Sequence, residues 1–342
     1  TYEAVAGSGS IKITGDNVSI TTADDDLTFD AGNIVLSTAG TTTISTGTGA
    51  GNLQIDGTID GTNNQAENLT ITTGTGSLTI AGTIGGTNPV TTLTLAGSGA
   101  GAVDLAGIGD SDTAGATGVT TVGNTTTTTL TLSGTIYKTD ESQTYVAKAG
   151  QNIDITDAAT FTTTNDDVAF NTAGVDLING NAGGAHTITV DTGTGAGGVT
   201  FAGAIESDGG DDETLTITSG TGTVTFSGAL GATQELGGLN VNASSGNGII
   251  TFTGAIGDTN APQAGVIGTS NIGNTATTRI DLDGGLYSFD GTTTFETTSG
   301  ETVAVGATVT VENTANSLSF SGGDINLDDG ANLTVSTNGG AI

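Results

Sequence analysis

The stretch LTITSGTGTVTFSGALGATQ (215–234) decides the fold, because its plan recurs along most of the chain. An apolar pair, Leu215 and Ile217, precedes a glycine-rich turn, and a second pair, Val224 and Phe226, follows it. A lone apolar residue then comes after a further glycine. Apolar residues at every second position predict short strands that bury one face. Further copies lie at 69–88, 93–112, 188–207 and 239–258.

The repeated unit is too short to bury its own apolar face. Leu69 and Leu93 begin successive copies 24 positions apart, and so do Leu215 and Leu239. Stacking each copy on the next buries that face. We therefore predict an all-β fold, a right-handed parallel β-helix or solenoid of about 24-residue coils, about fourteen in number. Gly and Asn are expected at the corners, where a positive φ or a tight bend is needed.

The short units are grouped into a longer repeat. TYEAVAGSGSIKIT (1–14) matches TYVAKAGQNIDIT (144–156), and Tyr287 stands 150 positions after Tyr137. Such offsets predict solenoid modules of about 145 residues. An array of β-sandwich domains is the alternative, although its strands would differ more from one another and would include more aromatic residues. The predicted modules are 1–143, 144–285 and a partial third at 286–342.

The chain is strongly acidic, with 36 Asp and Glu residues against 4 Lys and Arg and a formal net charge of −32. Such a chain is repelled by nucleic acids and by anionic lipids. We therefore expect no nucleic-acid partner, and the lack of a long apolar run predicts no membrane insertion. The start at TYEAVAG, without Met or signal peptide, predicts a processed product or a piece of a longer protein.

The recurring pattern [LI]-x-[IV]-x-x-G-x-G-x-[VL]-x-[FI]-x-G-x-[IL]-G resembles the large bacterial exoproteins of the β-strand-repeat, filamentous-haemagglutinin-like and autotransporter-like kinds. The resemblance covers nearly the whole chain. It implies secretion, a right-handed β-helix stalk, and a role in adhesion, in a matrix or in a surface layer.

From the repeats and the resemblance we predict an extracellular structural protein at the cell surface. It would form part of a bacterial fibre, sheath or adhesin stalk and would not be an enzyme. Because solenoid ends expose unpaired backbone groups, the expected partner is the protein itself, end to end, or more of the same repeats. Cell-surface glycans are a further expected partner. The alternative is a calcium-dependent or glycan-binding adhesive module, and a polysaccharide-active enzyme is a third hypothesis.

Acidic clusters are the candidate metal sites. Calcium takes carboxylate and turn-carbonyl oxygens as ligands, and the richest cluster is the insertion SDGGDDE (207–213). The competing interpretation is that such clusters are solvated corners that keep the protein in solution. No other cofactor is expected. The predicted calcium ligands are Asp208, Asp211, Asp212 and Glu213.

The sequence supplies few groups for catalysis. His186, the one histidine, directly precedes a predicted strand and has no nucleophile-elbow motif nearby. The four basic residues lie apart from the richest acidic cluster, so no catalytic residue is assigned. They are Lys12, Lys138, Lys148 and Arg279.

Threonine runs suggest one further activity. The runs at 41–46, 125–132 and 292–298 would bind ice or glycans if their hydroxyl groups formed flat ladders. Threonine is also favoured in strands for its β-branching alone. Its spacing is irregular between the predicted coils, which argues against ladders in register.

Overall fold

A computed structural model describes residues 2–3, 9–30, 32–37, 40–62, 66–97, 101–178, 186–208, 213–242, 245–258, 264–314 and 316–342. Over these residues the chain is all-β, and its parallel sheets stack as a β-solenoid of about twelve turns. The predicted fold class is confirmed, and the β-sandwich alternative is wrong. Contacts divide the chain into two units. The first unit is Thr1–Thr164 with Asn171–Ala173, and the second is Asn165–Phe170 with Gly174–Ile342.

The strands of the first unit are two to six residues long, and Gly, Asn or Asp residues stand at many of the turns between them. In chain order they are β1 (Tyr2–Glu3), β2 (Ser10–Thr14), β3 (Ser19–Thr21), β4 (Leu27–Asp30), β5 (Asn33–Ser37), β6 (Thr41–Ser45), β7 (Leu53–Ile55), β8 (Ile59–Asp60), β9 (Asn68–Thr73), β10 (Leu78–Ile80), β11 (Leu93–Gly97), β12 (Val103–Leu105), β13 (Thr120–Gly123), β14 (Leu130–Leu132), β15 (Ile136–Lys138), β16 (Gln143–Val146), β17 (Asn152–Ile155) and β18 (Thr160–Thr162).

The first unit has three sheet faces. One is the sheet β1-β4-β7-β10-β12-β14-β17, and another is the sheet β3-β6-β9-β11-β13-β16. The third begins with β2-β5-β8 and ends with β15 and β18. Between them it continues as single parallel bridges through Ile84 and Ile108. Each coil thus contributes one segment to each face, as a β-solenoid requires.

The second unit repeats this plan. Its strands are β19 (Val168–Asn171), β20 (Gly174–Leu177), β21 (Thr187–Asp191), β22 (Val199–Phe201), β23 (Ile205–Ser207), β24 (Thr214–Thr218), β25 (Val224–Phe226), β26 (Gly238–Val241), β27 (Ile249–Phe252), β28 (Ser270–Gly273), β29 (Arg279–Leu282), β30 (Leu286–Phe289), β31 (Thr293–Glu296), β32 (Thr302–Val305), β33 (Val309–Asn313), β34 (Leu318–Ser321), β35 (Asp324–Leu327) and β36 (Leu333–Thr337).

The faces of the second unit are again three. They are the sheet β19-β22-β25-β27-β29-β32-β35, the sheet β21-β24-β26-β28-β31-β34, and a third face. The third face begins with β20 and β23, continues through single bridges at Leu230 and Ile256, and ends with β30-β33-β36.

The apolar pairs predicted from the sequence form the core. Leu78 is paired in register with Leu53 on one side and with Val103 on the other, and all three side chains are at most 1% exposed. The predicted lone residues, such as Ile84 and Leu230, are fully buried as well. Removing such side chains from water is the main favourable term in folding.

Aromatic residues are few, but in the second unit they form a stacked column inside the core. The rings of Phe170, Phe201, Phe226 and Phe252 lie one over another. Successive ring centroids are 4.8, 5.6 and 4.8 Å apart, and successive rings lie within 7° of parallel. Consecutive coils 4.7–4.9 Å apart impose this spacing, which suits offset stacking.

The coils are less uniform than predicted. Register partners in adjacent coils are 22 residues apart at Val303 and Ile325 but 31 apart at Val168 and Val199. Corner insertions lengthen several coils without disturbing the strands. For this reason the chain makes about twelve turns rather than the fourteen that a constant 24-residue coil predicts.

The 150-residue offset between Tyr137 and Tyr287 is repeated in their hydrogen bonds. The Tyr137 hydroxyl accepts from the N–H of Gly134 (2.9 Å) and donates to the carbonyl of Leu105 (2.8 Å). The Tyr287 hydroxyl accepts from the N–H of Gly284 (2.7 Å) and donates to the carbonyl of Phe252 (3.0 Å). Burial raises the pKa of both phenols. The module boundaries themselves stay a prediction, because the two contact units are a different division.

Candidate functional site

In the last coil of the second unit, the apolar side chains of β35 are exposed, although Leu318 of β34 is buried. In β32, Val303 and Val305 are 2% and 0% exposed. Their register partners in β35, Ile325 and Leu327, are 40% and 44% exposed. The difference arises because β32 is covered by β35, whereas no described strand covers β35. We call the three strands β34, β35 and β36 the open coil.

The backbones of β35 and β36 are also paired on one side only, whereas β34 is met by the segment after β36, where the N–H of Leu318 donates to the carbonyl of Ala341 (3.0 Å). The three strands of the open coil pair with β31, β32 and β33 respectively. Within the described residues no strand lies on their other side. A strand edge of this kind presents a row of N–H and C=O groups that a further strand can pair with. The open coil therefore offers both hydrogen-bonding groups and apolar surface to another coil.

Acidic and amide side chains at the corners link one coil to the next. Asp24, at a φ of 67°, accepts hydrogen bonds on Oδ1 from the N–H groups of Thr48 (2.9 Å) and Gly49 (2.6 Å). In the second unit Asn165, at a φ of 69°, accepts on Oδ1 from the N–H of Gly195 (2.6 Å). The predicted positive φ at the corners is therefore confirmed at Asn165, and Asp serves the same purpose.

A second kind of corner bond recurs in both units. Asp60 accepts on Oδ1 from the N–H groups of Thr87 (2.9 Å) and Asn88 (3.3 Å). Glu206, 146 positions later, accepts on Oε2 from Thr233 and Gln234, at 3.0 Å each. Hydrogen bonds to ionised carboxylates are among the stronger kinds. Part of the acidity of the chain therefore has a structural use that sequence reasoning did not assign.

Substituting Asp24 by Ala is expected to lower the free energy of unfolding by about 1–2 kcal/mol, because two backbone N–H groups lose a charged acceptor. Asp24→Asn keeps the acceptor and tolerates the positive φ, so it is the matched control and is expected to cost less than about half as much. Urea titrations of both variants measure the effect. Equal losses for the two variants would contradict the assigned corner bond.

The predicted calcium ligands are only partly within the described residues. Asp211 and Asp212 lie outside them. Glu213 is fully buried and accepts a hydrogen bond from the hydroxyl of Ser207, while Asp208 follows β23 at the surface. No group of three His, Cys, Asp or Glu residues placed to hold a metal is found in the part of the chain that the structure describes. Calcium binding stays a prediction.

A buried glutamate in the first unit was not predicted. Glu67 is 1% exposed, and it accepts from the hydroxyl of Thr62 and from the N–H of Ala66 (3.0 Å). It precedes Glu213 by 146 positions, so the two occupy equivalent places in the repeat. The 146-residue offset from Glu213 is the sequence signal that could have identified Glu67. Each glutamate accepts a hydrogen bond from a hydroxyl group a few positions earlier in the chain.

A polar groove of about 320 Å³ opens on the third face of the first unit, where single bridges replace the strands. The carboxylates of Asp60 and Asp110 are the only titratable groups among its lining residues. The N–H groups of Thr113 and Asp112 donate to Asp110 and lower the pKa of its carboxyl. The lining also contains the threonines Thr58, Thr83, Thr87 and Thr135.

The groups considered for catalysis are not brought together. Lys138 donates from Nζ to the carbonyl of Ser111 (2.9 Å), and Arg279 forms an ion pair with Asp281. His186 is half-buried directly before β21, and its carbonyl accepts from the N–H of Thr214 (2.7 Å). These contacts give each group a local structural partner.

Comparison with protein-family models, with curated proteins and with solved structures gives no match to this chain. In the described residues there is no helix of the length and apolar character needed to cross a bilayer.

Proposed function

We propose that this chain is an extracellular structural repeat protein, a segment of a bacterial surface fibre, sheath or adhesin stalk, and not an enzyme. In this proposal the solenoid extends when a further coil, from a second copy or from more of the same repeats, stacks on the open coil. The observation that carries the proposal is the solenoid itself, about twelve parallel coils stacked in register, a fold that fits repeat structural proteins.

Two favourable contributions support this association. Burial of the exposed apolar surface contributes roughly 25 cal/mol per Å², and strand addition supplies a ladder of backbone hydrogen bonds along the edges of β35 and β36. The net charge of −32 opposes the approach of a second copy. Salt screens that repulsion, because the Debye length falls to about 3 Å at 1 M ionic strength. Association is therefore expected to strengthen as salt is added.

Replacing Leu327 by Asp is expected to abolish self-association, because a charge is placed on the surface that a further coil must bury. The unmodified chain is expected to form larger species as concentration and salt increase, as measured by sedimentation velocity and negative-stain electron microscopy. Val119, which is 52% exposed in the first unit, supplies the matched control. Val119→Asp adds the same charge outside the open coil and should leave association unchanged.

The proposal fails if the unmodified chain stays monomeric at every concentration and salt level, or if both Asp variants associate equally. The calcium-dependent or glycan-binding alternative stays a prediction, and binding of a neutral oligosaccharide in the polar groove is its simplest form.

A further inference from the structure

One face of the first unit carries threonines in register. Thr70 of β9 is paired with Thr43 of β6 on one side and with Thr94 of β11 on the other. Thr94 is paired in turn with Thr121, and Thr121 with Thr144. All five side chains are partly exposed and lie on the outer surface of the sheet β3-β6-β9-β11-β13-β16. We call this surface the threonine face.

The register is not visible in the sequence spacing. Successive members of the column are 27, 24, 27 and 23 positions apart, and this irregularity argued against a ladder. The structure overturns that expectation, because corner insertions absorb the differences in length and return each threonine to the same height. Backbone pairing then sets successive members about 4.8 Å apart.

A second outer column lies beside the first. The first column also extends to Ser19 of β3, which is paired with Thr43. The second column consists of the residues two positions further along the first three strands, Thr21, Ser45 and Thr72, and these are likewise paired in register. Residues two apart on a strand are about 6.8 Å apart. Hydroxyl groups therefore occupy a two-dimensional grid of about 4.8 by 6.8 Å over β3, β6 and β9. Over β11, β13 and β16 they form a single column, because the second column continues at Ala96, Gly123 and Val146.

The threonine face carries no charge in a chain whose net charge is −32. None of the residues in β3, β6, β9, β11, β13 and β16 is charged. The outer column of another sheet in the same unit contains Thr79 paired with Asp104, and the same column continues through Thr131 to Asp154. The absence of charge is thus a property of this face rather than of the unit.

We propose that the threonine face binds the surface of ice. A neutral array of hydroxyl and methyl groups at fixed spacing holds water molecules in an ordered layer, since each hydroxyl both donates and accepts, and bridging waters bind nearly as well as direct partners. Many weak contacts that form together give a strong overall attachment.

A protein partner fits this face less well. The outer surface of these six strands covers roughly 400 Å², about half the area per partner of a standard protein interface. The face also contributes no large aromatic anchor, the type of residue that dominates binding energy in such interfaces. Ice needs neither, because its surface is flat, neutral and periodic.

Thr94→Tyr tests the assignment, because a bulky ring in the middle of the column holds the remaining threonines away from a flat surface. The unmodified chain, carrying a fluorescent label, is expected to adsorb to a growing single crystal of ice and to inhibit recrystallisation. For Thr94→Tyr the concentration needed for inhibition should rise about tenfold. Thr79→Tyr makes the same change on the neighbouring sheet and should leave inhibition unchanged. Circular dichroism of both variants checks that the solenoid is intact.

The inference is overturned if the unmodified chain is excluded from ice like an unrelated acidic protein. It is also overturned if Thr94→Tyr inhibits recrystallisation as well as the unmodified chain does. The same holds if Thr79→Tyr loses as much inhibition as Thr94→Tyr. Retention on crystalline cellulose or chitin without adsorption to ice would assign the face to a polysaccharide instead.

Discussion

Replacing Phe226 by Ala is expected to lower the free energy of unfolding by about 3–5 kcal/mol, the loss typical of removing a buried phenylalanine. Phe226 is 0% exposed, and its ring stacks between those of Phe201 and Phe252, with centroids 5.6 and 4.8 Å away. The truncation leaves a cavity inside a column that neighbouring coils cannot fill, because their backbones are held by parallel ladders.

The matched control lies one residue away. Thr225 points outward from the same strand, between Thr200 and Thr251 of the adjacent coils. Thr225→Ala is expected to cost less than about 1 kcal/mol, since a surface substitution removes little packing. Urea titration measures the total effect, and hydrogen exchange should locate it in β22, β25 and β27. Equal costs for the two variants would show that Phe226 is not inside a packed column.

Gly254→Ala is expected to destabilise the second unit by about 2–3 kcal/mol, in the range typical of overpacking. A Cβ on Gly254 would lie 1.9 Å from the carbonyl oxygen of Gly228 in the preceding coil, so one backbone must move. Gly228 meets the same limit, because its Cβ would lie 2.2 Å from the carbonyl carbon of Gly203. These glycines mark a corner where consecutive coils touch backbone to backbone.

Gly285 is the control for this corner. No atom lies within 4 Å of the Cβ that alanine would add there. Gly285→Ala is therefore expected to be neutral, or to stabilise by up to about 1 kcal/mol because it reduces the entropy of the unfolded chain. Thermal unfolding of the two variants, followed by circular dichroism, separates these outcomes. A neutral Gly254→Ala would mean that the coils are further apart at this corner than the structure places them.

The buried positions of the solenoid were predictable from the sequence. Alternation identified both members of each apolar pair, and a pair such as Leu239 and Val241 is fully buried. Period-two patterning carries this information because it depends only on which face of a strand meets the core. The Gly and Asn corners were predictable for the same kind of local reason, since a positive φ excludes most side chains.

The threonine face and the open coil were not predictable in the same way. Register between coils depends on how much chain each corner takes up, and sequence distance does not report it. The exposure of Ile325 depends on whether another coil covers it, which no local pattern encodes. Glu67 was missed because a charged residue is ordinarily expected at the surface. Its burial relies on a hydroxyl partner five positions away, Thr62.

Pulsed dipolar electron paramagnetic resonance tests the coil-on-coil register most directly, because the chain has no cysteine and accepts pairs of nitroxide labels cleanly. Ala169 begins an outer column of the second unit that passes through Thr200, Thr225 and Thr251 to Asp281, Ala304 and Asn326.

Labels at Ala169 and Asp281 should be about 19 Å apart, which is four coil spacings. Moving the second label to Ala304 and then to Asn326 should add about 4.8 Å each time, although the sequence separation grows by more than twenty residues per step. Distances that rise by equal steps of one coil are the predicted result. Distances that fail to increase in order, or that change by unrelated amounts, would contradict a parallel solenoid in register.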